Sequence, residues 1–108
     1  MAEKDPHGLS ANQAGAKLDH GKLRAGLVIK GFQNALCKVA EVGTFGAQKY
    51  TDNGWKSVTN GVSRYEDALF RHILQDGEDE QSGIDHLAHA AWNILAILEL
   101  REAQKKRD

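Results

Sequence analysis

The stretch RYEDALFRHILQDGEDEQSGIDHLAHAAWNILAILEL, residues 64–100, decides the fold of this chain. Its apolar residues recur at steps of three and four on both sides of an acidic turn, DGEDEQSG, at residues 76–83. That spacing predicts two amphipathic helices, over residues 62–76 and 83–105. Because a short connection favours antiparallel neighbours, we expect the two helices to pack against each other as a hairpin.

The last predicted helix carries two stripes of residues. The stripe that we predict to face the core contains Leu87, Ala91, Ile94, Leu95 and Leu98. The second stripe is polar and contains His86, His89 and Asn93. Ser82 is predicted to cap this helix, and Ser63 to cap the preceding one.

The chain before this hairpin contains one further predicted helix. Over residues 32–50 apolar residues and two glycines, Gly43 and Gly46, share one face, which indicates a close neighbour or a ligand there. Residues 51–61 are predicted to form a loop. Residues 15–31 combine glycines with cations, which fits either a solvated loop leading to a helix or an anion-binding loop. With no β-periodicity, the predicted fold is an all-α antiparallel bundle, with a flexible leader over residues 1–14 and one helical domain over 15–108.

Composition narrows the class of protein. A formal net charge of -1 gives no reason to expect binding to a nucleic acid polymer or to an anionic membrane. The single cysteine, Cys37, excludes an internal disulfide and favours a reducing compartment. No apolar run reaches the length of a membrane span. We therefore expect a cytoplasmic domain.

The titratable residues suggest phosphate chemistry at a metal. Carboxylates gathered around a helix pair favour a hard cation such as Mg²⁺, whereas two histidines three residues apart could bind a transition metal. The zinc-protease pattern His-Glu-x-x-His, a Walker loop and a Gly-x-Ser-x-Gly motif are all absent from the sequence. Cations that could hold phosphate are Lys17, Lys22, Arg24, Lys49 and Arg71. The residues alone therefore indicate a metal-dependent phosphohydrolase.

Several blocks of the sequence match one family in order and spacing. They are GAKLDHGKLR (residues 15–24), VAEVGTFGAQKYTDNGW (39–55), RYEDALFRHIL (64–74), GED (77–79) and SGIDHLAHAAWN (82–93). Over about residues 15–100 the chain resembles the phage-type dATP/dGTP diphosphohydrolases, relatives of the all-α nucleotide pyrophosphohydrolases that include MazG and HisE. The resemblance implies hydrolysis of a deoxypurine triphosphate between its α and β phosphates, with Mg²⁺ or Mn²⁺, by a homodimer or homotetramer.

The resemblance also implies roles for individual residues. The catalytic residues would be His86, His89 and Asp79. The residues that bind the purine deoxynucleotide would be Lys17, Asp19, Lys22, Arg24, Lys49, Trp55, Arg71, His72 and Asn93. The metal ligands would be Asp67, Glu78, Asp79 and Glu41.

The metal site departs from the pattern of the wider MazG group. That group carries an EExxE motif on one helix and ExxD on the next, whereas the first helix here offers only Glu41, with Lys38 three residues earlier. Two alternatives therefore stay open beside the hydrolase. One is a non-catalytic nucleotide-binding module of the same fold, and the other is a structural helical module that oligomerises.

Overall fold

The computed structural model describes residues 4–107, and these residues form α-helices and no β-strand. The helices are α1 (Ala25–Gly31), α2 (Gln33–Lys49), α3 (Gly61–Ile73) and α4 (His86–Arg107). A short 3-10 helix, Gly54–Ser57, lies between α2 and α3. The predicted all-α class is confirmed. No helix within the described residues is both long and apolar enough to cross a membrane.

The chain divides into two compact units, one ending at Gly31 and the other beginning at Phe32. In the first unit, the buried Asp5 carboxylate accepts hydrogen bonds from the backbone N–H groups of His7 and Leu9, at 3.1 and 2.7 Å. The predicted division into a leader over residues 1–14 and a domain over 15–108 stays a prediction, and residues 1–3 of that leader lie outside the described part. Helix α1 belongs to the first unit, and helices α2 to α4 belong to the second unit.

Helices α3 and α4 form the antiparallel hairpin that the spacing predicts. Near the start of α3, a Cβ on Gly61 would lie 3.2 Å from the Leu100 side chain, far along α4. At the other end of α3, His72 contacts His86, the first residue of α4. The core between the two helices is built from Leu69, Ala90 and Ile97, with Val62 and Tyr65 packed against it.

Helix α2 packs on α4 through a second buried cluster. Val42, Ile84 and Ala88 form this cluster, and Phe45 and Trp92 pack against it. A Cβ on Gly43 would lie 3.5 Å from Trp92 Nε1, an ordinary van der Waals contact, so a side chain of α4 packs beside this glycine, as its place on the helix predicts. A Cβ on Gly46 would have nothing within 4 Å.

The predicted core face of α4 is wrong. Leu87 is 74% exposed and Leu95 is 47% exposed, whereas the buried residues of α4 are His86, Ala88, His89, Ala90, Asn93, Ala96 and Ile97. The alanines have small side chains, so they let α2 and α3 approach α4 closely, and the histidines gain hydrogen bonds there. The leucine stripe is left on the surface of the chain.

Both predicted caps are also wrong. Helix α3 begins at Gly61 after Asn60, whose backbone is left-handed (φ 57°) and whose side chain makes no capping hydrogen bond. The first helical residue of α4 is His86, and Asp85 Oδ1 accepts a hydrogen bond from Leu87 N at 2.8 Å. Ser82 lies four residues before this helix, and its Oγ instead contacts Asp79 Oδ1 at 3.1 Å and His89 Nε2 at 2.7 Å and accepts a hydrogen bond from Ile84 N at 3.2 Å.

Candidate active site

A cleft of about 1240 Å³ opens within the second unit. Its lining comes from α2, the loop that holds the 3-10 helix, α3, the acidic turn and the first half of α4. Its lining includes aromatic side chains, histidines, cations and the carboxylates of Asp52 and Asp79. A cleft of this volume can hold a nucleotide-sized ligand.

Trp55, Tyr65 and Trp92 form an aromatic wall in the cleft. Each pair meets edge to face, with ring centroids 5.4 to 6.3 Å apart. The Tyr65 hydroxyl donates a hydrogen bond to the Trp55 carbonyl oxygen at 2.7 Å, and burial raises the pKa of Tyr65. These contacts fix the wall before any ligand arrives, because edge-to-face pairs and a buried hydroxyl bond both hold ring orientations. Sequence reasoning missed Tyr65 and Trp92 as site residues, although Trp92 follows His89 by three positions and so shares its helix face.

His72, His86 and His89 form a histidine cluster between α3 and α4. The Nδ1 atoms of His72 and His86 lie 2.9 Å apart, so one donates a hydrogen bond to the other. The rings of His72 and His89 stack, with centroids 4.6 Å apart and an angle of 11° between their planes. Burial lowers the pKa of His72, and the nearby His89 and His86 lower it further. Burial also lowers the pKa of His89, although Asp79 opposes this effect. The lowered pKa values of His72 and His89 favour neutral imidazoles, which can accept protons or bind cations.

The acidic turn holds a carboxylate against this histidine cluster. Asp79 Oδ1 accepts hydrogen bonds from the backbone N–H and the hydroxyl of Ser82, at 2.9 and 3.1 Å. The backbone hydrogen bond is the main reason why the pKa of Asp79 is lowered, so Asp79 stays ionised. Ser82 Oγ also lies 2.7 Å from His89 Nε2. Asp79, Ser82 and His89 are thus joined in one hydrogen-bonded chain.

Acid should destabilise the chain through this cluster. Because His72 and His89 have lowered pKa values in the folded chain, the unfolded chain binds more protons once the pH falls below the ordinary histidine pKa of 6.5. We expect the melting temperature of the metal-free chain to fall between about pH 7.5 and pH 5.5. Over this pH range the melting temperature of His89→Gln should fall less than that of the wild type, whereas the exposed control His7→Gln should show the same fall as the wild type. Circular dichroism in EDTA measures the melting temperatures. An unchanged fall in His89→Gln would contradict this account.

Three cations line the cleft, and they are Lys49, Arg64 and Arg71. Lys49 Nζ donates a hydrogen bond to the neutral Gln81 amide oxygen at 3.1 Å, and Arg64 donates to the Thr59 carbonyl oxygen at 3.3 Å. Within residues 4–107 none of the three forms an ion pair with a carboxylate. Cations without carboxylate partners are free to bind phosphate oxygens. Arg64 was not predicted as a site residue.

The structure gathers some of the predicted site residues and not others. Those that line the cleft are Lys49, Trp55, Arg71, His72, Asp79, His89 and Asn93. Asn93 is buried and donates a hydrogen bond to the His89 carbonyl oxygen at 2.8 Å. The side chains of Lys17, Asp19, Lys22 and Arg24 are exposed in the first unit, and their role in binding stays a prediction.

The predicted metal ligands are not brought together as a set of carboxylates. Among the described residues, only Asp79 of the predicted four lines the cleft. Glu41 lines a separate, smaller and more open pocket with Cys37 and Ser82, and Asp67 and Glu78 are exposed. The cluster that could hold a cation combines Asp79 with two imidazoles, from His72 and His86. This donor set suits a cation that accepts nitrogen ligands, whereas the oxygen-only shell of Mg²⁺ would use only its carboxylate.

Comparison with known proteins identifies the family. The profile of the family described as "dATP/dGTP diphosphohydrolase, N-terminal" matches residues 12–108. The chain belongs to this family. The match includes every cleft residue described above.

One relative carries the name of an activity. The protein named dATP/dGTP diphosphohydrolase from Salmonella phage PMBT28 is 33% identical over 87 residues. The match covers 77% of this chain and 28% of the relative, so the chain spans less than a third of that protein. No solved structure matches the chain.

Proposed function

We propose that this chain hydrolyses deoxypurine nucleoside triphosphates, dATP or dGTP, to the monophosphate and pyrophosphate, with the help of a divalent cation. The observation that carries the proposal is the composition of one cleft, where an aromatic wall stands with cations and the linked Asp79, Ser82 and His89. Membership of the dATP/dGTP diphosphohydrolase family supports the same reaction class.

The aromatic wall supplies a surface for a purine base. Trp55 and Trp92 lie 5.4 Å apart and are both half-buried, so part of each ring is covered by protein and part faces the cleft. Stacking of a base on an aromatic side chain contributes about 1–3 kcal/mol per base. Purines present a larger face than pyrimidines, so the wall favours dATP and dGTP.

The cations and the histidine cluster supply the rest of the reaction. Lys49 and Arg71 bind phosphate oxygens and offset the negative charge that grows on the leaving pyrophosphate. A water oxygen bonds to the α phosphorus, the bond from that phosphorus to the bridging oxygen breaks, and pyrophosphate leaves with the electron pair of that bond. The water proton passes to a neutral imidazole, and His89 has the lowered pKa that such an acceptor needs. A bound cation would add positive charge beside the phosphates when Asp79 holds it.

A pyrophosphate-release assay on each of the four dNTPs, with Mg²⁺, with Mn²⁺ and with EDTA, tests this function. We expect metal-dependent release from dATP or dGTP and at least about 10-fold less from the pyrimidine nucleotides. Nucleotide binding without release in any metal would favour the non-catalytic binding module instead. Neither binding nor release, by a chain shown to be folded, would overturn the proposal.

We also propose that the chain forms a homo-oligomer through α4. The exposed residues Leu87, Ile94, Leu95 and Leu98 recur at helical spacing and so form an apolar stripe along one face of that helix. Within the described residues, the contacts of α4 with α2 and α3 use its other face. A second copy of α4 would cover this stripe and remove it from water.

A charge placed in the stripe should break this oligomer. Leu95→Glu should shift the chain to a monomer, measured by light scattering after size exclusion, because association would then bury an unpaired carboxylate. Gln104→Glu, on the same helix beyond the stripe, serves as the matched control and should keep the wild-type mass. A wild-type chain that is monomeric at all concentrations would contradict the proposal.

A further inference from the structure

His72, Asp79 and His86 come together from three separate elements. His72 is near the end of α3, Asp79 is in the acidic turn and His86 is the first residue of α4. Each offers one ligand atom, and these atoms all lie within 4.8 Å of one another. His86 is only 6% exposed, so this group is built into the junction of the hairpin.

The spacing of the two imidazoles is compatible with a shared cation. Their Nδ1 atoms are 2.9 Å apart. Two nitrogen ligands at about 2.0–2.1 Å from one metal, at about a right angle, lie about 2.9 Å from each other. A cation that replaces the shared proton would lie off the line between the two nitrogens, so each ring would turn to direct its Nδ1 lone pair at the ion while the N–N distance stays the same.

The neighbouring residues orient this group. Both hydrogen bonds from Ser82 reach Asp79 Oδ1, so within the described residues Oδ2 accepts none and can bind a ligand. The His89 ring stacks on His72, with centroids 4.6 Å apart, and limits rotation of that ring. Outer contacts of this kind fix metal ligands in position and raise affinity.

We propose that His72, Asp79 and His86 bind one divalent transition-metal ion, of the class of Mn²⁺, Co²⁺ and Zn²⁺, in preference to Mg²⁺. Imidazole is a ligand of choice for Zn²⁺ and other late first-row ions, Mn²⁺ binds such mixed sites more weakly, and Mg²⁺ takes oxygen ligands. Three protein ligands leave coordination positions open for water or phosphate oxygens. The role of this ion in turnover rests on the proposed function, but its binding to the three residues does not.

Calorimetric titration of the full, metal-free chain tests the site without any substrate. We expect one equivalent of Zn²⁺ or Co²⁺ to bind at least about 100-fold more tightly than Mg²⁺, with Mn²⁺ between them. His72→Gln and His86→Gln should each weaken Zn²⁺ binding by at least about 10-fold. His7→Gln removes an exposed histidine from the first unit and should leave the affinity unchanged. Equal Zn²⁺ affinity in all three variants would overturn the proposal, as would tighter binding of Mg²⁺ than of Zn²⁺.

X-ray absorption of the Co²⁺-loaded wild-type chain provides a test that needs no variant, in case replacement of the buried His86 impairs folding. Two imidazole ligands per cobalt are the expected result, and a shell of oxygen atoms alone would overturn the proposal. The pyrophosphate assay separates this inference from the proposed function. A chain that binds Zn²⁺ through these histidines and hydrolyses nothing would keep the site and refute the function. Full hydrolysis by a His86→Gln chain that binds Zn²⁺ as tightly as the wild type would keep the function and overturn the site.

Discussion

Asp79→Asn is expected to lower the rate of pyrophosphate release by at least about 100-fold. The asparagine side-chain oxygen can still accept the two hydrogen bonds from Ser82 that shape the turn. The substitution therefore removes the negative charge and leaves the local structure in place. Release measured at saturating dATP or dGTP, with circular dichroism to verify folding, gives the result directly.

Glu80→Gln is the matched control for this prediction. It removes one negative charge from the same acidic turn, and Glu80 is exposed and outside the cleft lining. Glu80→Gln should keep the wild-type rate within about 2-fold, since exposed charges contribute little. If Asp79→Asn keeps its activity, or if both variants lose activity equally, the catalytic role of Asp79 is wrong.

Ile97→Ala should lower the free energy of unfolding by about 2–4 kcal/mol. Ile97 is 8% exposed and packs with Leu69 and Ala90 between α3 and α4. Truncation leaves a cavity that the alanine-rich face of α4 cannot fill, because the neighbouring side chains are small. Urea denaturation monitored by circular dichroism measures the loss.

Leu74→Ala is the control for this second prediction. Leu74 is 85% exposed at the end of α3, so its truncation should change the free energy of unfolding by less than about 0.5 kcal/mol. Equal losses in the two variants would show that the contacts between α3 and α4 do not form the stabilising core.

The hairpin could be predicted because its signals are local. The helical spacing of Tyr65, Leu69 and His72, and the break at Gly77, depend only on neighbouring residues, and the structure places α3 and α4 accordingly. The close approach at Gly43 was also predictable, since a missing side chain on a packed helix face indicates a neighbour. Trp55 could be expected at the cleft because a tryptophan in a loop is unusual.

The buried face of α4 could not be predicted from hydrophobicity alone. The leucine stripe is more apolar than the face with His86, His89 and Asn93, yet the structure buries the histidine face. Burial of these polar groups depends on partners from other elements, such as His72 and Ser82, which lie 7 to 14 residues away. The predicted cap at Ser63 was wrong because α3 begins two residues earlier, at Gly61, and the predicted cap at Ser82 was wrong because Ser82 bonds to Asp79 and His89 while α4 begins at His86.

The candidate metal cluster could not be predicted either, because it too depends on residues that come from separate elements of the fold. His86 was expected to act in catalysis and His72 to bind substrate, and both assignments stay predictions. The spacing of His72 and His86 along the chain matches no known metal motif. Only the hairpin geometry brings their Nδ1 atoms to 2.9 Å, with Asp79 beside them.

Hydrolysis of dATP and dGTP in water enriched in oxygen-18 tests the central claim most directly. The wild-type chain is incubated with the nucleotide and Mn²⁺, the monophosphate and pyrophosphate are separated, and their masses are measured by mass spectrometry. Attack on the α phosphorus predicts one heavy oxygen in the monophosphate and none in the pyrophosphate, and Asp79→Asn should form both products at least about 100-fold more slowly. Three results would contradict this mechanism. They are oxygen-18 in the pyrophosphate, hydrolysis to a nucleoside diphosphate and one inorganic phosphate, and no product at all from the folded wild-type chain.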